Sequence, residues 1–149
     1  MRASLGLLIV MSKLPAPPYR PYRQALAVCM AVIVPLGLAL KFYQGPGQSW
    51  LNDTFGGVPY EIFFVLLAAY IWPAVSPGRI AIAVCLATCG VEFLQLWQPA
   101  WLQAIRATLP GRLVLGTTFS WADFPYYFVG SGLGWLGLRG LQRKIYRTY

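Results

Sequence analysis

The sequence predicts an all-α integral membrane protein: a bundle of four transmembrane helices with a short interfacial helix between the third and the fourth. Three observations predict it. The 149 residues are 58% hydrophobic and 11% charged, with a mean hydropathy of +0.57. A soluble domain has about 25% charged residues, and this chain has too few polar groups to cover a soluble surface. Four apolar stretches, each of about 18 to 20 residues and so able to cross a hydrocarbon core of about 30 Å, are separated by Gly- and Pro-bearing loops. The net charge of +8, with no histidine, sits in the flanks and loops, as membrane topology requires. That distribution lacks the aromatic and basic patterning of the nucleic-acid modules, so no nucleic-acid partner is expected.

Residues 1–23 form a basic, Pro-rich N-terminal arm. The apolar run 5–11 is too short to span and is followed by no small-residue cleavage site, so a signal peptide is not expected; Met11 is an alternative start. Residues 13–23 (KLPAPPYRPYR) have no apolar period and suit an extended segment at the membrane surface. The first span is 24–43, with Pro35 and Gly37 in its middle, where proline kinks a helix. The loop 44–57 carries Trp50, Asp53 and Phe55 and should lie along the interface.

The second span is 58–75, opened by Pro59, with Glu61, Val65, Ala68 and Trp72 along one stripe. The turn Ser76-Pro77-Gly78 makes the second and third spans an antiparallel hairpin. The third span is 79–97. Cys85, Thr88, Cys89, Glu92 and Gln95 share its one semi-polar face, which should point inward, while Leu86, Phe93 and Leu94 point elsewhere. Residues 99–108 are too short to cross and read as the interfacial helix, with Trp101, Leu102 and Ile105 on its apolar side and Gln103 and Arg106 off it. Residues 109–120 read as a loop that partly re-enters.

The fourth span is 121–138. Asp123, Tyr127, Gly130, Gly134 and Gly137 share a face, and Gly130 with Gly134 form a G-x-x-x-G that lets two backbones approach. Packing within the chain is the first use of that face; a protein partner is the other. Residues 139–149 are a basic, aromatic tail. The three cysteines, Cys29, Cys85 and Cys89, all lie in apolar runs and read as packing residues. No cofactor and no metal site is expected, because no histidine and no nucleotide-binding motif is present.

With four spans, one end holds both termini and the 76–79 turn, with Arg2, Lys13, Arg20, Arg23, Arg79, Arg139, Arg143, Lys144 and Arg147. The other holds Lys41, Arg106 and Arg112. The excess of positive charge puts both termini in the cytoplasm. Glu61, Glu92, Gln95 and Asp123 then gather with Arg106 and Arg112 at the outer end. Carboxylates inside a membrane are costly and persist when paired or functional.

The segments EFLQLW, AWLQAIRAT, GRLVLG and WADFPYYFVGSGLG resemble a family of small bacterial membrane proteins catalogued as a domain of unknown function, similar in turn to VanZ-like proteins. The matching positions are Glu92, Gln95, Arg106, Asp123 and Gly130; where VanZ-like proteins have an asparagine four residues after the aspartate, this chain has Tyr127. The resemblance implies a multi-helix protein of a bacterial cell membrane and no particular reaction.

The first functional expectation is a site at the outer face for a lipid or a lipid-linked anionic headgroup. Arg106 and Arg112 would hold a phosphate, Glu92 and Asp123 would orient them, and Trp101 and Trp121 would flank the headgroup. On that reading Arg106→Ala weakens lipid binding while the fold survives. A small accessory or assembly subunit of a membrane complex fits the same residues. So does an enzyme acting on a lipid-linked substrate, with Glu92 or Asp123 as base. A transporter would need a polar route through the inner half of the bundle, and the sequence offers none.

Overall fold

The computed structural model describes residues 19–49 and 57–148. The readings of residues 1–18 and of Trp50, Asp53 and Phe55 lie outside the described residues. Within them the chain is all-helical: α1 (Tyr19–Lys41), α2 (Gly57–Ile71), α3 (Pro77–Leu94), α4 (Ala100–Ala107), α5 (Leu109–Leu115) and α6 (Asp123–Thr148).

Several boundaries correct the sequence reading. Residues 19–23 are not an extended arm but the first turns of α1. Pro21 falls where a helix needs no N–H partner, and Tyr22, 1% exposed, gives this turn a reason to be ordered. Its ring packs on Tyr146 and its hydroxyl accepts from Gln142 Nε2. The same contact explains the far end. The predicted tail is the continuation of α6 to Thr148, with Leu138 buried and Leu141 and Ile145 packed on the core. Their spacing is a helical stripe, and the basic residues 139, 143, 144 and 147 occupy the remaining faces.

The predicted span 58–75 ends early, at Ile71, because Pro73 holds Trp72 out of helical geometry. Trp72 leaves the stripe begun by Glu61 and Val65 and is more than half exposed. The predicted span 79–97 is α3, which stops at Leu94 and runs out in a tighter turn, Gln95 N to Glu92 O, Leu96 N to Phe93 O and Trp97 N to Leu94 O. The predicted loop 109–120 contains α5. Thr108 caps it by accepting from Gly111 N (3.1 Å), with Pro110 in its first turn.

The helix directions follow from close contacts. Gly57 faces Tyr126, Gly130 faces Glu61 and Gly134 faces Val65, so α2 and α6 run parallel. A Cβ on Gly130 or Gly134 would stand 2.6 or 2.9 Å from those side chains, so the G-x-x-x-G face is filled by α2 of the same chain. Gly37 meets Pro59 while Arg23 meets Tyr70 and Ile71, so α1 runs against α2. Gly78 meets Trp135 and Glu92 meets Tyr127, so α3 runs against α6. The hydrophobic core of Tyr22, Leu26, Val65, Leu66, Ala69, Ile80 and Leu138 fills the middle and the end that holds both described termini. The other end is built from the C-termini of α1 and α3, the N-termini of α2 and α6, and all of α4 and α5.

Two helices, α1 (mean hydropathy 1.9) and α3 (1.5), are long and apolar enough to cross a membrane by length and composition. α2 is apolar but has 15 residues, about 22 Å of helix. α6 is longer, and its glycines, tyrosines and basic residues make it less apolar.

Candidate functional site

The last turn of α3 places Glu92 and Gln95 three residues apart on one face. Both are buried, Glu92 completely. The Glu92 carboxylate accepts from the Ser120 backbone N–H (2.7 Å) at Oε1, and from Gln95 Nε2 (2.9 Å) and the Tyr127 hydroxyl (2.8 Å) at Oε2. Three donors satisfy most of what a buried carboxylate can accept. The acid thereby ties the end of α3 to the 116–122 connection and to the first turns of α6. Gln95 in turn lies on Gly116, whose φ of +63° ends α5 in the left-handed region and where a Cβ would come within 2.5 Å of Nε2. Gln95 Oε1 is buried without a partner among the described residues. Four rings, Phe93, Phe119, Trp121 and Phe124, pack at centroid distances of 5.0 to 6.2 Å around this connection.

Arg106 is not on the solvent side of α4. It is 2% exposed and shares the inward face with Leu102, while Trp101 and Ile105 point out. Its fork donates to the carbonyl oxygens of Leu94 (Nη2, 2.9 Å) and Trp97 (Nη1, 3.1 Å). Leu94 O already accepts from Trp97 N–H in the closing turn and takes a second donor here, and a cation is favourable at this end against the helix dipole. The expected pairing of Arg106 with a carboxylate is thus replaced by helix capping. Arg23 treats α2 the same way, donating to Tyr70 O (3.0 Å) and Ile71 O (3.4 Å).

Glu61 lies deeper, fully buried at the α2–α6 crossing. It pairs with the Ser131 hydroxyl through Oε1 and rests against Gly130, and Oε2 has no partner among the described residues. It belongs to the helix crossing, one turn or more from the Glu92 network.

Arg112 and Asp123 meet elsewhere again, in the wall of a cavity of about 550 Å³ between α1, α2, α5 and α6. Lys41 is the third charged residue of the lining among the described residues. Among the described residues neither the Lys41 nor the Arg112 side chain is held in a hydrogen bond or ion pair, whereas Asp123 is engaged. The apolar walls are Ile33, Val34 and Leu38 on one side and Phe63, Phe64 and Leu113 on others. Tyr60 closes one side, its hydroxyl donating to Val114 O and so fixing α5 to α2. Tyr127 and Gly116 line the cavity and also touch the Glu92–Gln95 pair, which makes the network its back wall. Trp101 and Trp121 sit in ring clusters with Trp97 and with Phe93, Phe119 and Phe124, away from this lining. Among the described residues no group of three or more His, Cys, Asp or Glu is placed to hold a metal ion.

The six singled-out residues therefore divide three ways: Glu92, Gln95 and Arg106 around the end of α3; Arg112 and Asp123 at the cavity; Glu61 at the helix crossing. Lys41, Ser120 and Ser131 were missing from that set. Lys41 had a signal, as the one charge at the outer end of the first span. Ser120 acts through its backbone, which no side-chain pattern announces.

The family model of a protein of unknown function (DUF2809) matches residues 47–131. That segment includes the Glu92 network, Arg106, Arg112 and Asp123, and leaves out α1 with Lys41. No solved structure matches the chain. With more than half of its length matched, the chain belongs to the DUF2809 family.

Proposed function

We propose that the protein crosses a bacterial cell membrane four times, with both termini cytoplasmic, and binds the anionic headgroup of a lipid or lipid-linked molecule at its extracytoplasmic end. α1, α2, α3 and α6 are the spans, and α4 and α5 lie at the outer interface. The side chains of Val28, Val32, Ile82, Leu86, Phe128 and Leu136 are each more than half exposed, an apolar surface that suits lipid and not water. The short α2 is accommodated by local thinning and by its flanking aromatic residues. Among the described residues Arg20, Arg23, Arg79, Arg139, Arg143, Lys144 and Arg147 stand at the core end and only Lys41, Arg106 and Arg112 at the other, which supports the orientation.

The observation that carries the binding reading is the cavity, where two cations whose side chains have no partner among the described residues stand over apolar walls. A guanidinium presents paired N–H donors to phosphate oxygens, and an ammonium adds a point charge. The cation pair is Lys41 and Arg112; Arg106, committed to carbonyls, stabilises the fold.

The test is lipid identification by mass spectrometry after purification in native lipid. Wild type should retain a specific anionic lipid that Arg112→Ala loses. Arg106→Ala should lower the melting temperature, because Trp97 O loses the Arg106 donor and Leu94 O one of its two, at a cost of about 2 to 4 kcal/mol. Its folded fraction should keep the lipid. The same bulk lipids in all three preparations would reject the headgroup site and favour an accessory subunit of a membrane complex.

A further inference from the structure

We infer that the ligand is a phosphate carrying one hydrocarbon chain, which enters the cavity sideways from the membrane. This deepens the headgroup reading and rests on it. Charge and grease lie in the same cavity: Lys41 and Arg112 on one hand, Ile33, Val34 and Leu38 facing Phe63 and Phe64 on the other. A free phosphate would satisfy the cations and leave the aromatic and aliphatic walls to water. A neutral lipid would cover the walls and leave two cations unmatched. Among the described residues of the lining, two cations stand against one already engaged carboxylate. Only a molecule with an anionic end and an apolar chain meets both parts.

The sideways route follows from how α1 packs. Its buried residues, Tyr22 and Leu26, belong to the core end. In its second half it touches α2 through Gly37 and Pro59. On either side of that contact Val34 and Leu38 line the cavity and are still 40% and 37% exposed, with Leu36 at 50% beside them. The apolar part of the cavity therefore opens on the flank of the bundle, at the depth a lipid chain occupies. A volume of about 550 Å³ is in the range of pockets for single small ligands, roughly 300 to 1,000 Å³. It suits a phosphate and one chain in preference to a two-chain lipid.

The protein in nanodiscs of neutral lipid is titrated with dodecyl phosphate, dodecanol, inorganic phosphate and two-chain phosphatidic acid, with binding read by native mass spectrometry. Dodecyl phosphate should bind tighter than the other three. Arg112→Ala and Lys41→Ala should each weaken it by about tenfold or more, the loss of one charge-assisted contact. Val34→Trp and Leu38→Trp, at partly exposed positions that tolerate bulk, should weaken it by filling the chain's place and leave the melting temperature unchanged. Inorganic phosphate or phosphatidic acid binding as tightly as dodecyl phosphate, with the same Arg112 dependence, would overturn the single-chain ligand and leave the headgroup reading standing. Dodecanol binding equally well and indifferently to Arg112→Ala, or no binding by any probe, would overturn both.

Discussion

Glu92 shows what a buried acid does when no base is brought to it. Its two oxygens take three donors from three different parts of the chain, and the charge of Arg106 is spent on carbonyls instead. Glu92→Gln is nearly isosteric, yet one orientation of its amide turns the NH2 group onto the Ser120 N–H, and the other forces Tyr127 and Gln95 to turn from donating to accepting. Such a buried mismatch costs about 1 to 3 kcal/mol, read as a lower melting temperature in detergent. Tyr127→Phe removes one donor and leaves two, so its loss should be smaller, about 1 kcal/mol. A Glu92→Gln protein as stable as wild type would show that the network does not hold the outer end together. The Glu-x-x-Gln spacing was readable because both residues lie on one helix face. Tyr127 and Ser120 were not assignable to Glu92, because that pairing depends on the register of α3 against α6, set by packing 28 to 35 residues away along the chain.

At the scale of elements, the glycines of α6 differ in what they face. Gly134 meets Val65 so closely that an added Cβ would lie 2.9 Å from Cγ1, whereas nothing stands within 4 Å of Gly137. Gly134→Leu should therefore force α2 and α6 apart and cost about 1 to 3 kcal/mol or more. Gly137→Leu, one turn on and outward, should stay within about 0.5 kcal/mol of wild type. Equal effects in a thermal melt of the two variants would contradict the parallel α2–α6 contact. The G-x-x-x-G spacing announced a close approach; which helix filled it required the fold. The two helix extensions were hidden for a related reason. Tyr19 to Arg23 and Leu138 to Thr148 look like basic tails one at a time, and each becomes helical because Tyr22 is buried against Gln142 and Tyr146. Local composition carries no record of that mutual support.

Across the whole molecule the polar and apolar interiors are separated along the helix axes. The core end is held by aliphatic packing and ringed by arginines; the outer end is held by the Glu92 network, two short helices and a charged cavity. The sequence made this division legible, since hydropathy and the placement of Lys and Arg can be read residue by residue along the chain. The inward turn of Arg106 was not, because a positive charge reads as surface until a partner is known. If the proposed orientation holds, the two ends must be reachable from opposite sides of the membrane. A variant with Cys29, Cys85 and Cys89 replaced by alanine accepts single reporters at exposed positions: Gln103→Cys on α4, Arg20→Cys on α1 and Arg147→Cys on α6. An impermeant maleimide applied to intact bacterial cells should label Gln103→Cys alone, and permeabilised cells should give all three. Labelling of Arg20→Cys and Arg147→Cys alone would invert the protein and put Lys41 and Arg112 on the cytoplasmic side, where the cavity would meet a different pool of phosphates. Labelling of Gln103→Cys together with either terminal reporter would rule out an odd number of crossings between them, and with it the four-span bundle, which has three between Arg20 and Gln103 and one between Gln103 and Arg147.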